Sequence, residues 1–178
     1  KGDYDLIEMC YDSIPNVLSE LIRTAFIAPE GKMFAVADFS AIEARVLSWL
    51  AQEKWRLDVF NTHGKIYEAS ASLMFGVPIE QVTKGSDLRQ RGKTAEMALG
   101  YEGSVNAMEK MDKEKKLSKK EMYSIVALWR RANPKIVEFW AEVNEKAIEC
   151  VQTRKTKKVS CLVFEHDGTN LTIALPAG

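Results

Sequence analysis

The hydrophobic pattern of this chain has a helical period over most of its length and becomes β-like only near the carboxyl end. Helices are predicted at residues 4–24 with a break near Pro15, 40–52, 64–75, 88–99, 118–131 and 134–152. Two apolar runs between Val159 and Leu175 flank Asp167-Gly168, a dipeptide typical of β-hairpin turns. The pattern predicts a mainly helical α+β chain. Because so small a sheet cannot cover itself, we expect further strands outside the chain.

A separate β signal is the apolar run Met33–Ala37, which stops at Asp38. A run that is apolar on both faces predicts a buried strand. A carboxylate at the end of such a strand is held rigidly and suits a hard, oxygen-liganded cation such as Mg²⁺. The alternative is that Asp38 caps the helix that follows it. Similarly, Ser40 and Glu43 match the capping-box pattern, in which Glu43 would have only a structural role. For both Asp38 and Glu43, the residues alone leave the structural and the functional interpretation open.

Arg89, Lys93, Met97 and Tyr101 recur at intervals of four along a predicted helix. This spacing keeps the four side chains near one face, and the first three span roughly 12 Å along the axis. The face is long enough to carry a triphosphate at its cationic end, with the sugar and base over Met97 and Tyr101. The alternative is a solvated arginine–lysine face without a ligand.

Composition sets only broad limits. The hydrophobic and charged fractions, 46% and 28%, are those of a globular protein and argue against disorder. The sequence has no apolar run long enough for a transmembrane helix, so no transmembrane helix is expected. We also predict no membrane partner. Net charge is zero, but the first 60 residues hold six Lys/Arg against ten Asp/Glu, and the remainder nineteen against fifteen. The three cysteines form no metal-binding pattern and favour reduced thiols in a cytosolic protein.

The order of these segments resembles that of the family A (Pol I-like) DNA polymerases, and most closely the phage or prophage members. Residues 22–30 resemble the entry to motif A, and residues 38–45 resemble motif A itself. Residues 65–67 and 75–78 resemble the fingers segment before motif B. Residues 89–101 resemble motif B, which lies on the so-called O helix. The resemblance implies part of the palm and fingers of a right-hand polymerase domain. Its three parts would be a palm segment with the motif A strand (1–60), fingers helices (61–152), and a β-hairpin returning toward the palm (153–178).

The resemblance also implies the chemistry. A DNA-directed DNA polymerase adds dNTPs to a primer 3′-hydroxyl on primer–template DNA, with two Mg²⁺ ions, here in the cytoplasm of a bacterial host. Asp38 would bridge both metals, and the backbone carbonyl of Phe39 would join the coordination. Arg89 and Lys93 would hold the triphosphate, and Lys93 would protonate the leaving pyrophosphate.

The remaining nucleotide contacts follow from the same resemblance. Glu43 would act as a steric gate against the ribose 2′-hydroxyl, Tyr67 would lie near the phosphates, and Tyr101 would stack beside the insertion site. Met97 stands where better-known members have an aromatic residue, so sugar selectivity is not carried over. Two further departures are Glu102, where glycine is usual, and Lys65, where aspartate is common.

His166-Asp167 resembles the His-Asp of motif C, which supplies the second catalytic carboxylate in the family. Gly168 and Thr169 follow it instead of an acidic residue, so a plain hairpin turn is the preferred interpretation. We therefore expect motif C and the thumb in the remainder of a polymerase chain, and no activity from these residues alone. His63 and His166 are expected to be exposed turn histidines.

Two basic segments, residues 110–120 and 154–158, are candidates for contacts with DNA phosphates or, alternatively, solvated helix ends and loops. Two other protein classes remain possible at this stage. One is a non-catalytic protein that binds nucleic acid or nucleotides on the same scaffold. The other is a helical interaction module whose motif matches are accidental.

Overall fold

The helical period of the sequence is realised through most of the chain in a computed structural model, which describes residues 10, 14–112 and 117–177. The chain divides into two compact units, Lys1–Phe39 and Ser40–Gly178. In the first unit, helix α1 (Ile14–Leu21) continues into a 3₁₀ turn (Ile22–Ala25). Pro15 lies in the first turn of α1 as described, where a missing N–H is tolerated. The rest of the predicted helix, residues 4–9 and 11–13, lies outside the described residues.

The predicted strand Met33–Ala37 is not formed, so this part of the fold prediction is wrong. Residues 32–39 contain neither helix nor strand, and Met33 and Val36 are 90% and 92% exposed. A strand needs a neighbour to pair its backbone N–H and C=O groups and a cover for its apolar faces. The strands found in the described residues all belong to the carboxyl-terminal sheet, where they pair with one another.

The second unit is built from helices followed by a small sheet. Its helices are α2 (Ile42–Ala51), α3 (Lys54–Thr62), α4 (Ile66–Phe75), α5 (Asp87–Leu99), α6 (Val105–Met111), α7 (Lys119–Ala132) and α8 (Pro134–Thr153), with a 3₁₀ turn at Ile79–Gln81. The mainly helical α+β prediction is therefore confirmed. The sequence pattern did not predict the helices α3 and α6.

Local signals explain where several of these helices begin and end. Gly76 ends α4 in the left-handed conformation with φ +65°, as the sequence predicts. Ser118 and Glu121 form a reciprocal capping box that starts α7. Pro134 occupies the first position of α8, where no N–H is needed. These boundaries depend on residues close in sequence, which is why they were predictable.

The helical core forms where α5, α6 and α7 meet. Leu99, Met108, Ile125 and Trp129 are each buried to 99% or more there, and the rings of Trp129 and Trp140 stack with centroids 5.8 Å apart. This packing surrounds α5 on several sides. The helix that carries the predicted motif B is therefore a central element of the second unit rather than a peripheral one.

A three-stranded antiparallel sheet, in the order β1 (Lys157–Val159), β2 (Leu162–His166) and β3 (Leu171–Ala174), completes the unit. Alternate residues Leu162 and Phe164 of β2 are buried together with Cys150 of α8. Phe164 pairs with Ile173 of β3, which fixes the register of the predicted hairpin. The β-hairpin prediction is confirmed.

Candidate functional site

Helix α5 is the element on which the predicted triphosphate face lies, and its start is determined locally. The Ser86 hydroxyl accepts a hydrogen bond from the backbone N–H of Arg89 at 3.2 Å, which caps the helix as expected from the sequence. Asp87 adds a negative charge to the first turn, where it complements the helix dipole. The helix then runs without interruption to Leu99, so Arg89, Lys93 and Met97 lie along one side of it.

Gly92 brings α5 into unusually close contact with α4. A Cβ at this position would lie 2.3 Å from the backbone carbonyl oxygen of Tyr67 and 3.0 Å from the Cβ of Ala71. Because real Cβ atoms do not approach a carbonyl oxygen so closely, only glycine fits here without a shift of the helices. The first turn of α4, with Tyr67, is thereby held directly against α5.

A cavity of about 690 Å³ opens beside the carboxyl-terminal half of α5. This volume is in the range of small-molecule sites. Four residues predicted to contact the nucleotide are part of its wall: Glu43, Tyr67, Met97 and Tyr101. They come from α2, α4, α5 and the segment just after α5, so only the tertiary structure unites them.

The cavity wall is mostly apolar, with charge at a few points. Leu47 and Leu50 of α2 and Trp140 of α8 contribute apolar surface. Glu43 supplies a carboxylate, and desolvation, followed by the charge and hydrogen bonding of Glu43, raises the pKa of the Tyr101 hydroxyl. An apolar wall with a few placed polar groups suits a ligand that is part aromatic ring and part sugar.

Arg89 lies about two helical turns before Met97 and is not part of the cavity wall. Its Nε donates to Oε1 of Glu68 at 2.6 Å, and its guanidinium carbon lies 5.6 Å from the centroid of the Tyr67 ring. Among the described residues, no hydrogen-bond acceptor contacts the two Nη groups of Arg89. Glu68 therefore holds the guanidinium at one edge and Tyr67 contacts one of its faces, while the N–H donors on Nη1 and Nη2 remain available.

Lys93 lies one turn further along α5 and is half-buried. No acidic side chain of the described ranges pairs with its ammonium group, whereas Arg89 and Arg91 on the same helix are both paired. A cation without a protein partner on the helix beside the cavity remains available to an anionic ligand.

The start of α2 differs from the capping-box interpretation. The residue before the helix is Ala41, which has φ +51° and no side-chain capping bond. The backbone carbonyl of Ser40 instead accepts a hydrogen bond from Nε of Arg45 at 2.9 Å. The capping-box alternative is therefore wrong, because Ala41 displaces Ser40 from the capping position. Glu43 is left free of a capping role and lines the cavity.

Asp38 and Phe39 are the last residues of the first unit, and both are exposed. Neither forms part of a strand, and the start of α2 has no side-chain capping bond. The chemistry of its carboxylate suits Mg²⁺. Within the described ranges, no group of three or more His, Cys, Asp or Glu residues is arranged to hold a metal ion. The meeting of Asp38 with Lys93 at one triphosphate stays a prediction.

The tip of the hairpin confirms the turn interpretation of Asp167. Its carboxylate accepts hydrogen bonds from the backbone N–H groups of Asn170 at 2.7 Å and Thr169 at 2.8 Å, and these bonds lower the pKa of Asp167. Gly168 follows with φ +103°, as the predicted turn requires. His166 is half-buried at the end of β2 rather than exposed, because it still belongs to the strand. His63 is exposed, as predicted.

Sequence reasoning missed a buried charged network beneath α5. Arg56 of α3 binds both carboxylate oxygens of Glu96, at 2.9 and 2.5 Å, and both side chains are at least 98% buried. Arg56 also donates to Ser48 Oγ at 2.8 Å and Asn133 Oδ1 at 3.0 Å. The indole N–H of Trp129 donates to Glu96 at 2.9 Å. The network ties α5 to α2, α3 and α7.

No local pattern marks this network. Arg56 and Glu96 are separated by 40 residues, and each looks like an ordinary surface charge in its own helix. The nearest available signal was the apolar setting of Arg56, between Trp55 and Leu57. Burial in such a segment requires an acidic partner, but nothing in the sequence identifies which one.

The described part of the chain contains no helix with the length and apolar character needed to cross a membrane.

Comparisons with known proteins point to one protein family. The sequence profile described as DNA polymerase family A matches residues 12–167. A DNA polymerase of Bacillus phage SP02 is 54% identical over 179 aligned residues, which cover 99% of this chain and 28% of that protein. The thermostable DNA polymerase I of Thermus aquaticus is 33% identical over 119 residues, 67% of this chain and 14% of that protein. DNA polymerase I of Pseudomonas aeruginosa is 39% identical over 80 residues, 45% of this chain and 8% of that protein.

Proposed function

Because the chain belongs to DNA polymerase family A, we propose that it carries the nucleotide-binding part of a DNA-directed DNA polymerase. One observation supports this most strongly. Glu43, Tyr67, Met97 and Tyr101 line a single cavity beside α5, and the middle of the same helix carries Lys93, which has no acidic partner among the described residues. On this proposal, residues 1–60 belong to the palm, residues 61–152 to the fingers, and residues 153–178 to a hairpin that returns toward the palm.

The incoming dNTP lies along α5. Its triphosphate contacts Arg89 and Lys93, and its sugar and base reach the cavity at Met97 and Tyr101. From Arg89 to Met97 the helix rises roughly 12 Å, which matches the extent of a nucleoside triphosphate. Arginine binds phosphate oxygens as a planar fork and lysine as a point charge, so the two cations have different tasks. Lys93 donates a proton to the departing pyrophosphate.

Selection of the sugar falls to residues at the cavity. On this proposal Glu43 blocks the position of a ribose 2′-hydroxyl. Glu43 and Tyr101 both line the cavity, and Glu43 contributes to the raised pKa of the Tyr101 hydroxyl. Tyr67 lines the cavity and contacts the Arg89 guanidinium with its ring, so it lies between the proposed sugar and phosphate positions. Met97 offers a flexible, polarizable surface in place of a flat aromatic ring.

The reaction joins the primer 3′-hydroxyl oxygen to the α-phosphorus of the dNTP and releases pyrophosphate. Asp38 and the carbonyl oxygen of Phe39 provide ligands for Mg²⁺, which when bound neutralises phosphate charge and activates the hydroxyl. The protein's own contribution is positioning and charge neutralisation. Primer–template DNA is the second substrate, and the exposed Arg154, Lys155 and Lys158 are candidates for contacts with its phosphates.

Titration of the chain with dATP and Mg²⁺ tests the proposal. Arg89→Ala removes charge-assisted bonds to phosphate, and we expect dATP binding to weaken about tenfold or more. Arg91→Ala is the matched control. Arg91 lies on the same helix, about 200° around it, and pairs with Asp87 and Glu121 instead. Equal affinities in wild type and Arg89→Ala would contradict the proposal.

Primer extension tests the second part of the proposal. Two-metal catalysis requires a second carboxylate near the first, and Asp167 is already engaged by the backbone of its own turn. We therefore expect no templated synthesis from these 178 residues alone. Magnesium-dependent extension that is abolished by Asp167→Asn would show instead that Asp167 is catalytic.

A further inference from the structure

The Arg89 guanidinium is held by two consecutive residues of α4. Glu68 accepts the Nε–H at one edge of the group, at 2.6 Å, and the ring of Tyr67 lies against it with 5.6 Å between guanidinium carbon and ring centroid. The side chains of Arg89 and Glu68 are only 25% and 14% exposed. A long side chain that is otherwise free to rotate is thus restrained before any ligand arrives.

The hydrogen-bonding pattern leaves most donors of this arginine unused. A guanidinium has five N–H donors, of which Glu68 takes only the one on Nε. No acceptor among the described residues contacts Nη1 or Nη2. The remaining four N–H groups form the fork that binds phosphate oxygens bidentately.

The buried Arg56–Glu96 pair of the same unit shows what a fully occupied guanidinium looks like. There Glu96 accepts from both Nη1 and Nη2 of Arg56, and Ser48 takes the Nε–H. An acid that competed with a phosphate for Arg89 would occupy the Nη groups in this way. Glu68 binds the opposite edge, which favours an orienting role over a competing one.

We propose that Glu68 is a positioning residue for the incoming nucleotide, which holds Arg89 by Nε so that its Nη groups are free for the triphosphate. The inference rests on the proposed function, because it requires that Arg89 contacts phosphate. Glu68 itself touches no substrate. Its effect is to order the arginine in advance, which removes an entropic penalty from binding.

The test compares three variants at two acidic positions, with dATP and inorganic tripolyphosphate as probes in the presence of Mg²⁺. Glu68→Ala releases the guanidinium, and we expect about fivefold weaker binding of both probes, the order expected for one side chain that must be ordered on binding. Glu68→Gln keeps an acceptor oxygen for Nε, and we expect binding within about twofold of wild type. Asp87→Ala, which removes an acid from Arg91 instead, is the matched control and should have no such effect.

The outcomes separate this inference from the proposal on which it rests. Unchanged or tighter binding in Glu68→Ala overturns the positioning role, and so does a loss in Glu68→Gln as large as in Glu68→Ala. If Arg89→Ala weakens dATP binding but Glu68→Ala does not, only the inference fails. If neither variant changes dATP binding, the proposed function fails with it.

Discussion

Two of the arginine–glutamate pairs to which helix α5 contributes, Arg56–Glu96 and Arg89–Glu68, have surroundings that differ greatly. The Arg56–Glu96 pair is almost completely buried and is joined by two hydrogen bonds. Trp129 and Asn133 make further hydrogen bonds to it. The Arg89–Glu68 pair is partly exposed and joined by a single bond. The first leaves little capacity for a ligand and locks the helix to its neighbours. The second leaves the Nη donors of Arg89 without an acceptor among the described residues, so the same chemistry fastens the helix at one end and, on the proposed function, binds phosphate at the other.

Removing one member of the sealed pair should have the largest effect. Glu96→Ala leaves the Arg56 guanidinium buried without its counter-charge, and we expect a loss of about 3–5 kcal/mol in the free energy of unfolding. Urea denaturation of the chain measures it. Glu68→Ala is the control and should lose about 1 kcal/mol or less, because water reaches that pair. Similar losses in both variants would remove the distinction between the pairs.

Replacing both members of the sealed pair should restore most of that loss. Arg56→Met combined with Glu96→Met removes both charges and leaves flexible apolar side chains in their place, a change that is often neutral in other proteins. We expect the free energy of unfolding, measured by urea denaturation, to lie within about 2 kcal/mol of the wild-type value. A double variant as unstable as Glu96→Ala would mean that Ser48, Asn133 and Trp129 depend on the charges themselves.

The contact between α4 and α5, which lies between the two pairs, is expected to be less sensitive. Gly92→Ala places a Cβ 2.3 Å from the Tyr67 carbonyl oxygen, so the helices must separate, at about 1–3 kcal/mol. Since Arg89 contacts both Tyr67 and Glu68, dATP binding should weaken as well. Gln90→Ala, at an exposed position of the same helix, serves as control for urea denaturation and dATP titration. Full stability in Gly92→Ala would contradict the close contact.

The smallest effect concerns a partly exposed acid, Glu121, which completes the comparison. Hydrogen bonds from the backbone and side chain of Ser118, and then from Arg91, lower its pKa from 4.5 to about 2. A lowered pKa in the folded state means that the stabilisation is present above pH 4.5 and disappears as the pH falls toward 2. The stability difference between wild type and Glu121→Gln should therefore shrink over that range in urea titrations. A difference that is independent of pH would exclude the ionised capping box as its cause.

The helices that carry the site were predictable because their signals are local. Ser86, Gly76 and Pro134 each act on backbone groups within a few residues, and the Asp167-Gly168 turn closes on itself. The four-residue spacing of α5 also identified Met97 and Tyr101, which do line the cavity. Helices α3 and α6 carry no comparably clear start signal: α3 has no side-chain cap, and Ser104 before α6 makes no capping bond.

The failures share a different physical cause. Met33–Ala37 was predicted as a buried strand from its apolar character alone, but a strand also needs partners, and composition does not supply them. The capping-box interpretation failed because Ala41 adopts a left-handed conformation, which its residue type does not predict. In both cases the outcome depended on backbone geometry and neighbours rather than on residue type.

The order of residues along the chain was therefore sufficient to predict the family, the helical α+β class and two residues of the cavity wall, Met97 and Tyr101. Periodicity, caps and turns act over a few residues, and sequence preserves that information directly. The pairing of charges was selected by the folded arrangement, because the partners of Arg89 and Arg56 lie 21 and 40 residues away. Whether a charge is sealed, shared or free depends on burial and distance, which arise only when helices distant in sequence pack together.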